Sequence, residues 1–248
     1  MRIQTTPNNS NPQKKITLFG DSIPKGLYLE GNKIMRIKRC AVNTVEETLQ
    51  IKIDSRSAFG QTLGKCCKKE MFSDFFKTAD PSADILAVSL GGNDCDYDWA
   101  EVAKDPFGYH LPKTPLPLFE ELLEHLIKTA ARTGVATVFT SLPPIDSERY
   151  FRNVICAHAD GGEVMKFFCG DVTNIARHQE SYNAAVMKSA LSAGAAFIDF
   201  RTEFLMKPDF LDYLSEDGIH PNQKGHDLIA DCVIRYADAR IQALQQLA

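Results

Sequence analysis

Much that would mark a membrane, nucleic-acid or disulfide-scaffold protein is missing from these 248 residues. No apolar run approaches the roughly 18 residues that a bilayer-crossing helix requires. Positive charge is not in excess: 28 Lys and Arg stand against 32 Asp and Glu, the net charge is −4 and the pI is near 5.9. A nucleic-acid polyanion is therefore not the expected partner. The basic stretch Lys33 to Arg39 alternates with apolar residues and reads as the solvated face of an element. The seven cysteines are odd in number and lack a Cys-x-x-Cys metal pair, and the vicinal Cys66-Cys67 sits in a helical pattern where neighbours point apart. Free thiols in a reducing compartment fit this set. The segment Met1 to Lys15 has no apolar signal core, and Asn8-Asn9-Ser10 without one carries little weight as a glycosylation site. A soluble, cytoplasmic protein is expected, with no internal repeat and no low-complexity tract.

What is present is a sequence with 44% hydrophobic and 24% charged residues, ordinary for one large globular domain. Residues 1–13, rich in Asn, Pro and Thr, are expected to be a disordered lead-in to a domain spanning 14–248. Four near-continuous apolar runs suit strands covered on both faces: 15–19, 84–90, 135–140 and 195–200. A fifth, 50–54, alternates more and belongs toward a sheet edge. Helical patterns fill the gaps at 39–49, 61–72, 115–132, 171–193 and 222–247, with Thr114 a candidate cap, Pro115 in the first turn, and Gly134 and Gly194 as stops. Alternating strand and helix predicts a three-layer α/β/α sandwich with right-handed crossovers. The stretches 95–113 and 142–170 read as irregular. Both follow strand C-termini, where open α/β sheets bind ligands, so both are expected to wall a pocket.

Chemistry concentrates at the same sheet edge. Ser22 follows the first strand through Gly20-Asp21-Ser22; such a serine can cap a helix, and can equally be a nucleophile if a base, an orienting acid and oxyanion donors surround it. Asp217-Gly218-Ile219-His220 supplies an acid three positions before a histidine in a glycine-containing loop, which lets both side chains turn toward one cleft. In that arrangement His220 takes the Ser22 proton and Asp217 holds the imidazole. Gly91-Gly92-Asn93-Asp94 ends a buried-type strand and brings the Asn93 amide to this edge, while Gly60 follows the second strand, where a missing Cβ opens its N–H to a ligand.

These blocks resemble the SGNH hydrolase superfamily, also called GDSL-type esterases and lipases. Gly20-Asp21-Ser22 matches the first block, with Ile23 in place of leucine; Gly60 matches the second-block glycine, although Arg56-Ser57-Ala58-Phe59 departs from the commoner Gly-x-Ser-Gly. Gly91 to Asp94 matches the third block and Asp217 to His220 the fifth, in the family's order. The resemblance implies Ser22 as nucleophile, His220 as base and Asp217 as its partner. It implies an oxyanion hole of the Ser22 and Gly60 N–H groups plus the Asn93 side chain. It also implies a flavodoxin-like sheet of about five parallel strands, with no metal or organic cofactor. Members of the family act on acetylated sugars, lysophospholipids, thioesters and small aryl esters, so a small-molecule ester is the expected substrate. No Gly-x-Ser-x-Gly elbow surrounds Ser22.

Other signals are weaker. Gly60 to Cys66 is one residue short of a phosphate loop and lacks its Ser or Thr. The remaining histidines have no zinc spacing; His125 reads as structural, whereas His110 lies in a pocket-loop candidate and is a possible substrate contact. Tyr97 and Trp99 read as loop packing or as a pocket wall, with Tyr97 the candidate contact. Asp21 and Asp94 are expected to brace local turns. Two alternatives to ester hydrolysis stay open at this point, acyl transfer from the same site and a binding module that kept the fold.

Overall fold

The computed structural model describes residues 15–31 and 33–246. The expected lead-in at 1–13 and Asn8-Asn9-Ser10 lie outside the described residues. The first half runs β1 (Lys15–Gly20), β2 (Leu27–Glu30), β3 (Lys33–Arg36), α1 (Ala41–Leu49), β4 (Ile53–Ser55), α2 (Leu63–Lys68), α3 (Met71–Thr78), β5 (Asp84–Ser89), α4 (Trp99–Lys104) and α5 (Leu116–Thr133). The second runs β6 (Ala136–Thr140), α6 (Ser147–Tyr150), α7 (Cys156–His158), α8 (Gly161–Phe167), α9 (Asn174–Ser192), β7 (Ala196–Ile198), α10 (Arg201–Leu205) and α11 (Gln223–Gln246). A π-turn at Phe151–Ile155 joins α6 to α7.

Five strands form one parallel sheet in the order β4-β1-β5-β6-β7. Numbered along the chain that order is 2-1-3-4-5, the doubly wound flavodoxin-like arrangement. The strand expected at an edge, β4, is at an edge. Apolar side chains on both sheet faces explain the unbroken hydrophobic runs. On one face Phe19, fully buried, packs on Phe72 and Phe75 with ring centroids at 4.6 and 6.1 Å, and Leu86, Val88, Phe119, Leu123 and Tyr182 continue that core toward α5 and α9. On the other face Val45, Ile198, Phe204 and Leu228 join α1, α10 and α11. Truncating a fully buried phenylalanine such as Phe19 costs about 3–5 kcal/mol. Among the described residues no helix is long and apolar enough to cross a membrane.

Several elements differ from the sequence expectation. The single helix over 61–72 is two, broken where Glu70 adopts a left-handed backbone (φ +54°), which lets Phe72 and Phe75 turn onto Phe19 while Leu63 and Cys66 keep their own contacts. The helix expected from Pro115 starts at Leu116 with Pro115 as its cap residue, so Thr114 does not cap it. The last strand is shorter, because Phe200 turns into α10. The two irregular stretches hold short helices, and each of three has an aspartate N-cap: Asp98 accepts the Glu101 N–H, Asp146 those of Glu148 and Arg149, and Asp160 those of Gly162 and Glu163. The antiparallel hairpin β2–β3 had no counterpart in the sequence reading; its second strand carries the first part of the basic stretch, with Lys33, Ile34 and Arg36 exposed.

Candidate active site

In a sheet of this order the chain leaves β1 for one edge and returns through β5 to the other side, which opens a crevice between their C-terminal ends. Ser22 stands in that crevice. Strand β1 ends at Gly20, where an added Cβ would lie 2.6 Å from Pro24 Cγ and 2.9 Å from the Ser57 hydroxyl, so only glycine permits the turn. The Leu27 N–H donates to the Ser22 carbonyl at 2.9 Å and the Gly26 N–H to that of Ile23 at 2.8 Å. The chain therefore runs into the hairpin rather than a helix, and Ser22 caps none. Its side chain is buried, and its Oγ lies 2.7 Å from His220 Nε2.

His220 Nδ1 is in turn 2.7 Å from Asp217 Oδ2. The carboxylate is itself held from three sides: Oδ1 accepts the N–H groups of Ile219 and His220, each at 3.0 Å, and Oδ2 accepts the Leu29 N–H of β2 at 2.7 Å. Burial by itself raises the Asp217 carboxyl, but the hydrogen bond and charge of His220, with the Leu29 and His220 N–H groups, outweigh it and leave the group below the usual carboxylate range. Gly218 between them is at φ +75°, and an added Cβ would meet the Asp146 carbonyl and Arg149 Cβ at 2.7 Å each. That wedge sets the loop against α6. The His220 ring faces Phe59 in a stacked arrangement at 6.4 Å, so the loop carrying Gly60 lies beside it.

Asn93 Nδ2 donates to Asp21 Oδ2 at 3.3 Å and to the Gln61 carbonyl at 3.2 Å. Both are long for such bonds, hence weak and readily redirected. Among the described residues the N–H groups of Ser22 and Gly60 donate to no protein acceptor. Gly60 is at φ +67° and an added Cβ would meet nothing within 4 Å, so glycine is favoured there by backbone conformation rather than by lack of room. Asp21 is buried and accepts the Ile23 N–H at 2.9 Å; burial pushes its carboxyl up to about 6, against the lowering effects of that N–H and of His220. It braces its own turn, as expected. Asp94 reaches further, accepting the Leu63 and Gly64 N–H groups at the start of α2, and so ties the Asn93 loop to that helix.

A cavity of about 90 Å³ opens from Ser22, Asn93 and His220 toward a mostly apolar wall that includes Tyr97, Trp99, Leu142, Ile145, Phe168 and Ile175. Tyr97 is thus brought to the same cavity as Ser22. His110 is not; its Nε2 lies 2.7 Å from the Asp105 carbonyl and its ring packs edge-on against Phe167, which pins its own loop. Among the described residues no group of three His, Cys, Asp or Glu side chains is placed to hold a metal ion.

The sequence model of the GDSL-like lipase/acylhydrolase family matches residues 18–228, from β1 into α11. The chain belongs to that family. It is accordingly a GDSL-type hydrolase acting on esters. Among curated proteins no relative matches it. Solved structures that share its fold include a lipase/acylhydrolase from Enterococcus faecalis, 18% identical with a TM-score of 0.62 over 92% of this chain and 97% of that one. An acetyl xylan esterase from Geobacillus stearothermophilus is 19% identical, with a TM-score of 0.60 over 91% and 94% of the two chains. A member of the lipolytic G-D-S-L family from Veillonella parvula is 16% identical, with a TM-score of 0.60 over 90% and 97%.

Three parts of this candidate site escaped the sequence reading. Leu29 acts through its backbone N–H, which leaves no side-chain signature. Gln61, buried, donates from Nε2 to the Gly20 carbonyl at 2.8 Å and to that of Arg56 at 3.0 Å, clamping the Ser22 turn to the Gly60 loop. Arg201, buried, donates to the Leu142 and Pro143 carbonyls at 3.1 Å and to Gln179 Oε1 at 2.9 Å, which fixes the cavity wall from behind. A lone arginine after a strand gave no cue to that role.

Proposed function

We propose that Ser22 is the nucleophile of a carboxylic ester hydrolase, with His220 as general base and Asp217 as the group that orients the imidazole and stabilises its positive charge. The observation that carries this reading is the unbroken relay from Ser22 Oγ through His220 to Asp217, with both contacts at 2.7 Å. In the first step Ser22 Oγ attacks the ester carbonyl as His220 Nε2 takes its proton. The alkoxide of the tetrahedral intermediate is received by the Ser22 and Gly60 N–H groups and by Asn93 Nδ2, which exchanges one of its weak contacts for it. His220 then protonates the leaving alcohol. Water, deprotonated by the same imidazole, releases the acid from the acyl-enzyme.

The cavity favours a short acyl group. Its volume of about 90 Å³ is well below the roughly 300–1,000 Å³ of pockets for drug-sized ligands. A carbohydrate O-acetyl ester fits that limit better than a long-chain lysophospholipid. The free state of all seven cysteines suits a reducing cytoplasm. Initial rates on p-nitrophenyl acetate, butyrate and octanoate, for the wild type and Ser22→Ala, test the reading. Turnover that is greatest on the shorter esters and lost in Ser22→Ala is expected; a folded Ser22→Ala variant with full activity contradicts it. Product analysis with and without a sugar acceptor separates hydrolysis from acyl transfer.

A further inference from the structure

We propose that Gln61 is the positioning residue of the oxyanion hole, its side-chain amide and main-chain carbonyl together holding the Ser22 turn, the Gly60 loop and the Asn93 side chain at one spacing. This rests on the reading of Ser22 as nucleophile and extends it to a residue that acts through the donors rather than on the substrate. The three donors belong to segments far apart in the chain, and Gln61 is bonded to all three segments. Its buried Nε2 donates to the Gly20 carbonyl, two residues before Ser22, at 2.8 Å, and to the Arg56 carbonyl, on the way to Gly60, at 3.0 Å. Its N–H closes the turn around Gly60 on the Ala58 carbonyl at 3.2 Å. Its own carbonyl accepts Asn93 Nδ2 at 3.2 Å, one of the two contacts that fix where that amide sits.

The main chain alone leaves this spacing loose. The Arg56 N–H reaches the Leu18 carbonyl at 2.8 Å and continues the pairing of β1 with β4. Beyond it, among the described residues, the two segments share a single main-chain bond, from the Ala58 N–H to the Gly20 carbonyl, and at 3.3 Å it is long. The Gln61 amide supplies the shorter contact to that same carbonyl. Its nitrogen has two hydrogens and two carbonyls receive them, so both donors are used inside the protein. The Asn93 segment is tied to this stretch a second time, because Asp94 accepts the N–H groups of Leu63 and Gly64. On the other side of Gly60, Phe59 faces the His220 ring. A shift at Gln61 therefore displaces the hole relative to Ser22 Oγ. Oxyanion donors act at about 2.7–3.1 Å from the developing charge, and a misplacement of about 1 Å can cost roughly 10²-fold in rate.

Gln61→Met removes both donors and keeps the length of the side chain. Steady-state rates on p-nitrophenyl acetate and urea unfolding are measured for the wild type, Gln61→Met, Asn93→Ala, the double variant and Ser22→Ala. In Gln61→Met kcat should fall by about 10- to 100-fold with KM little changed. In the Asn93→Ala background the same substitution should cost at least about threefold less, since part of what Gln61 holds is already gone. A side chain that served only folding would give losses that multiply independently. Gln61→Asn, with its amide one methylene short, should lie between wild type and Gln61→Met, and it carries the same comparison if Gln61→Met does not fold. A folded Gln61→Met with kcat within about threefold of wild type, a change confined to KM, or independent losses in the double variant overturns the proposal. Ser22→Ala separates the two readings. Activity that needs Ser22 but not Gln61 overturns only this proposal, whereas activity that persists without Ser22 overturns both.

Discussion

Asparagine at position 217 keeps the volume of the aspartate and changes only its hydrogen bonding, which makes Asp217→Asn a sharp test of the relay. In the native site one oxygen accepts two backbone N–H groups, from Ile219 and His220, and the other accepts the Leu29 N–H and faces His220 Nδ1. An amide has a single oxygen. Placed toward Ile219 and His220 N–H, it leaves its NH₂ opposed to one backbone donor, Leu29. Flipped, it opposes two. At about 1–3 kcal/mol for each buried donor left unpaired, the first orientation prevails. That orientation makes His220 Nδ1 an acceptor, puts the ring proton on Nε2, and removes the base that Ser22 Oγ needs. A fall in kcat of about 10³–10⁴-fold is expected, the size associated with a wrong imidazole tautomer, with KM little changed. The unfolding free energy should drop by about 1–3 kcal/mol. Steady-state rates on p-nitrophenyl acetate and urea unfolding measure both. A variant that unfolds as calculated yet turns over within a small factor of wild type refutes the role given to Asp217.

Other perturbations follow from the same geometry. Asn93→Ala removes the side-chain donor from the oxyanion side and should lower kcat by about 10²–10³-fold, with KM nearly unchanged in the same assay. Gly218→Ala drives a Cβ to 2.7 Å from the Asp146 carbonyl at φ +75°, so a stability loss of about 2–4 kcal/mol in urea should come with reduced turnover as the His220 loop shifts. Asp21 governs a pH effect on stability. Its folded pKa is raised from 3.8 to about 6, so the folded chain keeps a proton that the unfolded chain has released. That contribution is greatest at low pH and is lost as pH rises through that window, by about 3 kcal/mol in all. Urea unfolding between pH 4 and 7.5 should show this slope in the wild type relative to Asp21→Asn, and parallel curves count against the buried carboxyl.

The parts of this site legible in the sequence are those whose chemistry needs particular side chains at short, fixed spacing. Gly20-Asp21-Ser22 and Asp217 to His220 are of that kind, and the strands were legible because burial on both faces demands unbroken apolar runs. Leu29 was not, since any residue with an N–H serves there; only the tertiary path of an unexpected hairpin brings it to Asp217. Gln61 and Arg201 act by bonding backbone carbonyls far away in the chain, for which local pattern holds no trace. The short helices after β5 and β6 are a different case. Asp98 to Glu101 and Asp160 to Glu163 carry the spacing of a capping box, a local signal present in the sequence but not used in reading these stretches as irregular.

The most direct test of the central claim is covalent. The native protein is treated with a fluorophosphonate, digested, and its peptides are mapped by mass spectrometry, with His220→Ala and Ser22→Ala alongside. A single adduct on Ser22, strongly slowed in His220→Ala and absent from Ser22→Ala, is the predicted result. An adduct on another residue, or equal labelling of a folded Ser22→Ala protein, contradicts the account.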